Sequence, residues 1–118
     1  MRKDCHIYRA INFVGKRWTL LILLELYKGN STWKRYSELK NRLLDITPKI
    51  LSSRLNELKK EGLIIKKISS VRVPISSNYR LTKKGEDFVC VIKEMKKWSL
   101  RWNSINKCAD DDCKHCQF

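Results

Sequence analysis

The side chains best suited to covalent or metal chemistry in this 118-residue chain are its five cysteines. Three lie close together near the end, at Cys108, Cys113 and Cys116. Cys113 and Cys116 have the spacing of a metal knuckle, and Cys108 adds a third thiolate for a zinc site. A closed tetrahedral site needs a fourth ligand, for which Cys5, His115 and His6 are the candidates. A reversible Cys113–Cys116 disulfide is a second reading, and a chain end with no defined site a third. Cys5 stands apart, beside Arg2, Lys3 and His6. Cationic neighbours favour the thiolate, which makes Cys5 a candidate redox-sensing residue. The alternative is a packed thiol with no switching role. Cys90 falls on the apolar side of the last predicted helix and reads as core.

A thiol redox enzyme built on Cys113-x-x-Cys116 fits poorly. That motif should open a helix of a βαβ unit, whereas here it follows three aspartates near the end of the chain. The sequence holds no Ser-His-Asp set, no phosphate-binding glycine loop and no catalytic carboxylate pair. The chain therefore reads as a binding protein rather than an enzyme.

Charge indicates what it binds. Twenty-six Lys and Arg face twelve Asp and Glu, a net charge of +14. Asp110, Asp111 and Asp112 share the last eleven residues with one lysine, so residues 1–107 hold the other 25 basic and 9 acidic side chains. Such a field attracts nucleic acid or an anionic membrane surface. The start, Met1-Arg2-Lys3-Asp4-Cys5-His6, has no apolar core behind it as a secretory signal would. The best apolar run, Trp18 to Leu24 and then Leu26-Tyr27, is far short of the ~20 residues that span a bilayer. A cytoplasmic protein is expected, in which cysteines serve as free thiols, metal ligands or redox sensors rather than a disulfide framework.

The elements that would position these groups follow from periodicity and punctuation. Residues 5–14 form a short amphipathic helix with Ile7, Ile11 and Val14 at helical spacing, interrupted by Gly15. A second helix, Lys16 to Tyr27, is apolar on most sides and reads as the buried centre. Ser31-Thr32-Trp33 suggests a brief extended piece. A third helix is expected over Lys34–Leu44 with Tyr36, Leu39, Leu43 and Leu44 on one face. Thr47-Pro48 is a strong start signal, a hydroxyl N-cap followed by proline at the first helical position. The fourth helix runs over residues 47–61, with Leu51, Leu55 and Leu58 inward and Gly62 ending it. Leu63–Ile68 and Asn78–Thr82 read as two strands around a polar loop containing Arg72 and Pro74. Thr82 then caps a last helix, about Lys83 to Ile105, with Phe88, Val91, Ile92, Met95, Trp98 and Trp102 on one face. Residues 1–107 are thus one mainly α domain with a small β-hairpin, and 108–118 a Cys-rich tail.

Helix, turn, helix, hairpin, helix is the order of a winged helix-turn-helix. Its second helix enters the DNA major groove, and its hairpin can place an arginine in a minor groove. With the leucines inward, the outward positions of helix 47–61 include Lys49, Ser52, Ser53, Arg54 and Asn56. These offer phosphate donors and side chains able to address base edges. Thr47 at the start of that helix, Lys34 and Arg35 at the start of the third helix, and Lys66 and Arg72 on the hairpin complete the candidate DNA-binding set. Lys67 and Arg80 flank the hairpin. A winged helix that contacts RNA or protein is the rival reading.

Several segments together resemble the HxlR-type winged-helix regulators, relatives of MarR. They are Gly15-Lys16-Arg17-Trp18-Thr19-Leu20-Leu21-Ile22-Leu23, Tyr36-Ser37-Glu38-Leu39, Ile46-Thr47-Pro48-Lys49-Ile50-Leu51-Ser52-Ser53-Arg54-Leu55-Asn56-Glu57-Leu58, Glu61-Gly62-Leu63-Ile64, and Val73-Pro74 through Tyr79-Arg80-Leu81-Thr82-Lys83-Lys84-Gly85. The likeness covers about residues 5–102. It implies a homodimeric transcription factor on inverted-repeat operators, paired through its first and last helices. Such pairing would make Cys5 a neighbour of the tail cysteines. It also implies an N-terminal cysteine that senses electrophiles or oxidants in several members, a place Cys5 occupies, and in some members a small effector bound between helices. The sequence departs from the family in Arg17, inserted before Trp18, and in the cysteines of the tail.

Overall fold

The computed structural model describes residues 5–29, 32–69, 76–102 and 114. Five helices and three strands follow in the order α1 (His6–Val14), α2 (Thr19–Tyr27), β1 (Lys34–Arg35), α3 (Tyr36–Arg42), α4 (Pro48–Lys60), β2 (Ile64–Ser69), β3 (Ser76–Leu81) and α5 (Lys83–Trp102). The strands form one antiparallel sheet in the order β1-β3-β2. Its register pairs Ile64 with Leu81 and Ser69 with Ser76 on the hairpin, and Lys34 with Tyr79 at the short third strand. This is the mainly α winged helix expected from the element order.

α2 is the centre of the core. Ile22, Leu23 and Leu26 are fully buried, and Leu39 of α3, Leu51, Leu55 and Leu58 of α4, Ile64, Leu81 and Val89 close around them. The helix begins three residues later than the sequence suggests. Trp18 takes a left-handed conformation, φ 83°, with the Arg17 guanidinium 4.7 Å above its ring, and so breaks the chain before Thr19. α3 is likewise shorter than expected at both ends. Lys34 and Arg35 pair with β3 instead of starting the helix. Leu44, expected on the buried face, lies past the last turn of α3 and is 82% exposed.

The exit from α4 and the start of α5 are sewn together. Gly62, at φ 80°, lets the Leu63 amide reach the Leu58 carbonyl and its own amide reach Lys59, closing the helix in a Schellman motif. Thr82 Oγ1 donates to the Gly62 carbonyl at 2.6 Å and accepts from the Gly85 amide at 3.2 Å, capping α5 as expected. A Cβ on Gly85 would stand 2.1 Å from the Leu63 carbonyl oxygen, so only glycine allows α5 to pack this close to the end of α4.

α5 differs from expectation on one side. Phe88 and Ile92 pack against the core. Val91, Met95, Trp98 and Trp102 are exposed, and so is Cys90, which the sequence placed in the core. The helix turns only Gly85 and Val89 fully inward, leaving the thiol of Cys90 beyond the seam. Residues 103–105, expected at the end of this helix, lie outside the described residues. Among the described residues no helix is long and apolar enough to cross a membrane.

Candidate nucleic-acid interface

α4 is set by its own sequence. Thr47 Oγ1 accepts a hydrogen bond from the Ile50 amide at 3.2 Å, and Pro48 occupies the first turn, where no amide bond is lost. Burial of Leu51, Leu55 and Leu58 fixes the helix's rotation, and Lys49, Ser52, Ser53 and Asn56 consequently all face solvent. The start of the helix is braced from α3, a contribution the sequence reading missed. Tyr36 Oη donates to the Pro48 carbonyl at 3.1 Å and lies 3.4 Å from Ser52 Oγ. Its place on the apolar face of α3 disguised the hydroxyl at its tip.

Two of the expected contact residues are already engaged inside the chain. Lys34 is buried, and its ammonium donates to the carbonyls of Glu25 (2.5 Å), Leu26 (3.2 Å) and Lys28 at the end of α2. It acts as a C-terminal helix cap, with the positive charge where the helix dipole favours it. Burial lowers its pKa below the ordinary 10.5, against the pull of Glu38 and Glu25. Lys34 is therefore removed from the DNA-contact set. Arg54 is half-buried; its Nε donates to the Arg17 carbonyl at 3.0 Å and its Nη1 pairs with Glu57 at 3.3 Å, tying α4 to the α1–α2 turn. Lys16 joins the same carboxylate at 3.2 Å.

The three-stranded sheet contributes further cations. Arg35, Lys66, Lys67 and Arg80 are exposed. Lys66 Nζ sits 6.0 Å over the Tyr79 ring and Lys67 Nζ 5.8 Å over Trp33, cation–π placements that steady the two side chains. Arg72, expected near the tip, lies outside the described residues. A helix with a polar outer face, braced at its start and followed by a basic hairpin, is the arrangement of a DNA-reading winged helix.

Residues 13–107 match the HxlR-like helix-turn-helix family. The chain belongs to that family. The HTH-type transcriptional regulator YvaP of Bacillus subtilis is 33% identical over 94 residues, spanning 80% of this chain and 83% of its own. A MarR-family transcriptional regulator from Porphyromonas gingivalis W83 superposes with a TM-score of 0.75 at 32% identity, over 85% of this chain and 94% of its own. YodB of Bacillus subtilis in its reduced form follows at TM-score 0.71 and 28% identity, over 87% and 98%. YodB has also been solved diamide-treated and quinone-bound. This HxlR-like protein is thus a transcriptional regulator of the helix-turn-helix class.

Apart from Cys90 on α5, its cysteines divide between the two ends of the sequence. Cys5 is the half-buried N-cap residue of α1, and its carbonyl accepts from the Arg9 amide at 3.0 Å. Cys108, Cys113, Cys116 and His115, expected as zinc ligands, lie outside the described residues. α1 buries none of its side chains fully, and Ile7 and Ile11 are exposed. An open groove of about 490 Å³ runs between α1 and the start of α5, lined by Arg9, Phe13, Glu61, Lys84 and Phe88 among others. Its lining mixes both charges with two aromatic rings.

Proposed function

We propose that this protein is a cytoplasmic, homodimeric, sequence-specific regulator that binds an inverted-repeat operator with one α4 in each of two successive major grooves. The observation that carries this reading is the outer face of α4. Lys49, Ser52, Ser53 and Asn56 are exposed together on a helix whose other side is consumed by three buried leucines. Thr47, Arg35, Lys66 and Arg72 supply further contacts, and Arg54 supports the helix while its remaining donors serve the backbone. Half-sites would lie about one helical turn apart. Dimerisation is supported by the unspent apolar surface of Ile7 and Ile11 on α1 and of Val91, Met95, Trp98 and Trp102 on α5.

A regulatory thiol at Cys5 is supported by its half-exposed position and by the likeness to YodB, a regulator that has been solved after treatment with the thiol oxidant diamide and with a quinone bound. Zinc or a disulfide at Cys108, Cys113 and Cys116 remains part of the proposal for the tail.

Selection from random duplexes tests the first reading. A pseudo-palindromic winner is expected, and no enrichment over bulk DNA would overturn it. On that operator the salt dependence should be steep, and Arg72→Ala should lower both slope and affinity. If neither moves, the wing leaves the contact set. Oxidant should release the wild type but not Cys5→Ser, whereas loss of binding with a chelator would transfer the signal to a metal.

A further inference from the structure

We propose that Arg17, in the turn between α1 and α2, is a further DNA-backbone contact, and that it takes a phosphate on the operator strand opposite the one that α3 faces. Its role rests on the function proposed above.

α4 is held from both sides. On a helix of 3.6 residues per turn, its outward arc runs from Ser52 through Asn56, Lys49 and Ser53 to Glu57, about 140° in all. Ser52 marks one edge, where Tyr36 Oη of α3 lies 3.4 Å from its hydroxyl. Glu57 marks the other edge. There Lys16 Nζ lies 3.2 Å from Glu57 Oε1, and the neighbouring Arg54 Nε donates to the Arg17 carbonyl at 3.0 Å. α3 and the turn at 15–18 therefore stand on opposite banks of the reading face. A helix lying in a major groove about 12 Å wide has the phosphates of one strand along each bank. Arg35, exposed at the N-cap of α3, serves the first bank. Arg17 serves the second.

The charges of the turn single this residue out. Glu57 is the carboxylate at this edge, and Lys16 and Arg54 already share it at 3.2 and 3.3 Å. Arg17 is exposed, and among the described residues no carboxylate pairs with its guanidinium and no carbonyl accepts from it. The guanidinium instead rests over the Trp18 ring, 4.7 Å from the centroid, and Trp18 is packed against the core. Such a contact uses the ring's π face and leaves the N–H donors available for a phosphate. The backbone of the residue is tied to α4 and its side chain is steadied on the ring, so less freedom is lost when DNA is met.

The test compares Arg17→Gln and Arg17→Lys with the wild-type chain on the selected operator. Arg17→Gln should reduce the slope of log affinity against log salt by about 0.9 for each half-site, and Arg17→Lys should recover most of it. Replacing single phosphates of the duplex by neutral methylphosphonates then locates the contact. The wild type should lose affinity at phosphates on both banks of each half-site. Arg17→Gln should remain sensitive on the α3 bank alone, and Arg35→Gln on the opposite bank alone. Urea midpoints should match the wild type, because the side chain is exposed. An unchanged slope with both banks still sensitive overturns the proposal and leaves the operator reading standing. So does a Gln variant that unfolds earlier and binds weakly at an unchanged slope, which would make Arg17 a strut of the turn. If selection returns no operator, the operator reading fails by itself. The slope on bulk duplex, which counts phosphates whatever the sequence, then decides for Arg17, and an unchanged value overturns its contact there too.

Discussion

The apolar stripe of α4 disappears into the molecule that carries it, whereas most of the stripe of α5 does not. Leu51, Leu55 and Leu58 are buried almost completely, and the opposite face of α4 is left as a row of polar groups. α5 is longer, yet Val89 is its one fully buried large side chain, while Trp98 is 64% and Trp102 77% exposed. Two helices of similar amphipathic pattern therefore have different partners. α4 is satisfied within the chain and presents a surface for a polar ligand. α5 retains an apolar surface of the kind that marks a protein–protein seam. Removing an interior residue of α4 should attack the fold. Removing an exposed residue of α5 should attack the assembly and leave the fold alone.

The largest effect is expected from Trp98→Glu. A carboxylate at the centre of the exposed stripe should convert dimer to monomer in sedimentation, and operator affinity should fall roughly a hundredfold or more as two linked half-site contacts become one. The unfolding free energy of the monomer should change little, by about 0.5 kcal/mol or less for a surface position. An unchanged mass would separate α5 from dimerisation and remove this half of the comparison.

Leu55→Ala is the counterpart on α4. Deleting a side chain that is 1% exposed should cost about 2–5 kcal/mol in urea unfolding. Dimerisation of the molecules that remain folded should persist. A cost below about 1 kcal/mol would mean the α4 stripe is not the fixed reference that rotates Lys49, Ser52, Ser53 and Asn56 outward.

How much of this was legible follows from how local each signal is. The start of α4 is written in Thr47-Pro48, its rotation in the three leucines and its end in Gly62, and the structure reproduces all three because none needs a distant partner. The hairpin strands followed from the change of period after Gly62 and from the polar loop between the two extended segments. Lys34 was misjudged because a lysine beside an arginine has the local appearance of a solvated pair. Its burial comes from pairing with Tyr79, forty-five residues away, and from the carbonyls that α2 leaves open. The two-residue β1 has no period of its own to detect. Leu44 continues the spacing of α3, but the helix stops first. The aromatic stripe of α5 was readable as apolar, but its spacing alone did not tell that most of it stays exposed.

Lys34→Met comes next in size. It keeps the apolar stem of the side chain and deletes the ammonium that serves three carbonyls, a loss of about 1–3 kcal/mol for buried acceptors left without a donor. The pH dependence has a defined sign. Burial lowers the folded-state pKa below the ordinary 10.5, so between those two values the unfolded chain holds more protons than the folded one. This ionisation therefore adds stability as pH rises through the window. The margin of wild type over Lys34→Met should widen toward alkaline pH, and urea midpoints of the two proteins across that range measure it. A margin that narrows would mean the ammonium is held more tightly in the fold than in water, contrary to the dominance of burial.

The smallest effect divides the basic residues of α4 itself. Lys49 is exposed, and among the described residues no hydrogen bond or ion pair draws it inward. Lys49→Ala should leave stability within about 0.5 kcal/mol and reduce the slope of log affinity against log salt by about 0.9, the signature of one lost phosphate contact. Arg54→Ala should behave differently, because its guanidinium already holds the Arg17 carbonyl and Glu57. Its loss should appear first as lower stability, from freeing the α1–α2 turn, with a slope change smaller than that of Lys49. The opposite ranking would place the Arg54 guanidinium on the phosphates in the complex and show that α4 exchanges an internal tie for an external one when it meets DNA. The distinction between a face satisfied within the chain and a face left for a partner would then hold for the leucines of α4 but not for its arginine.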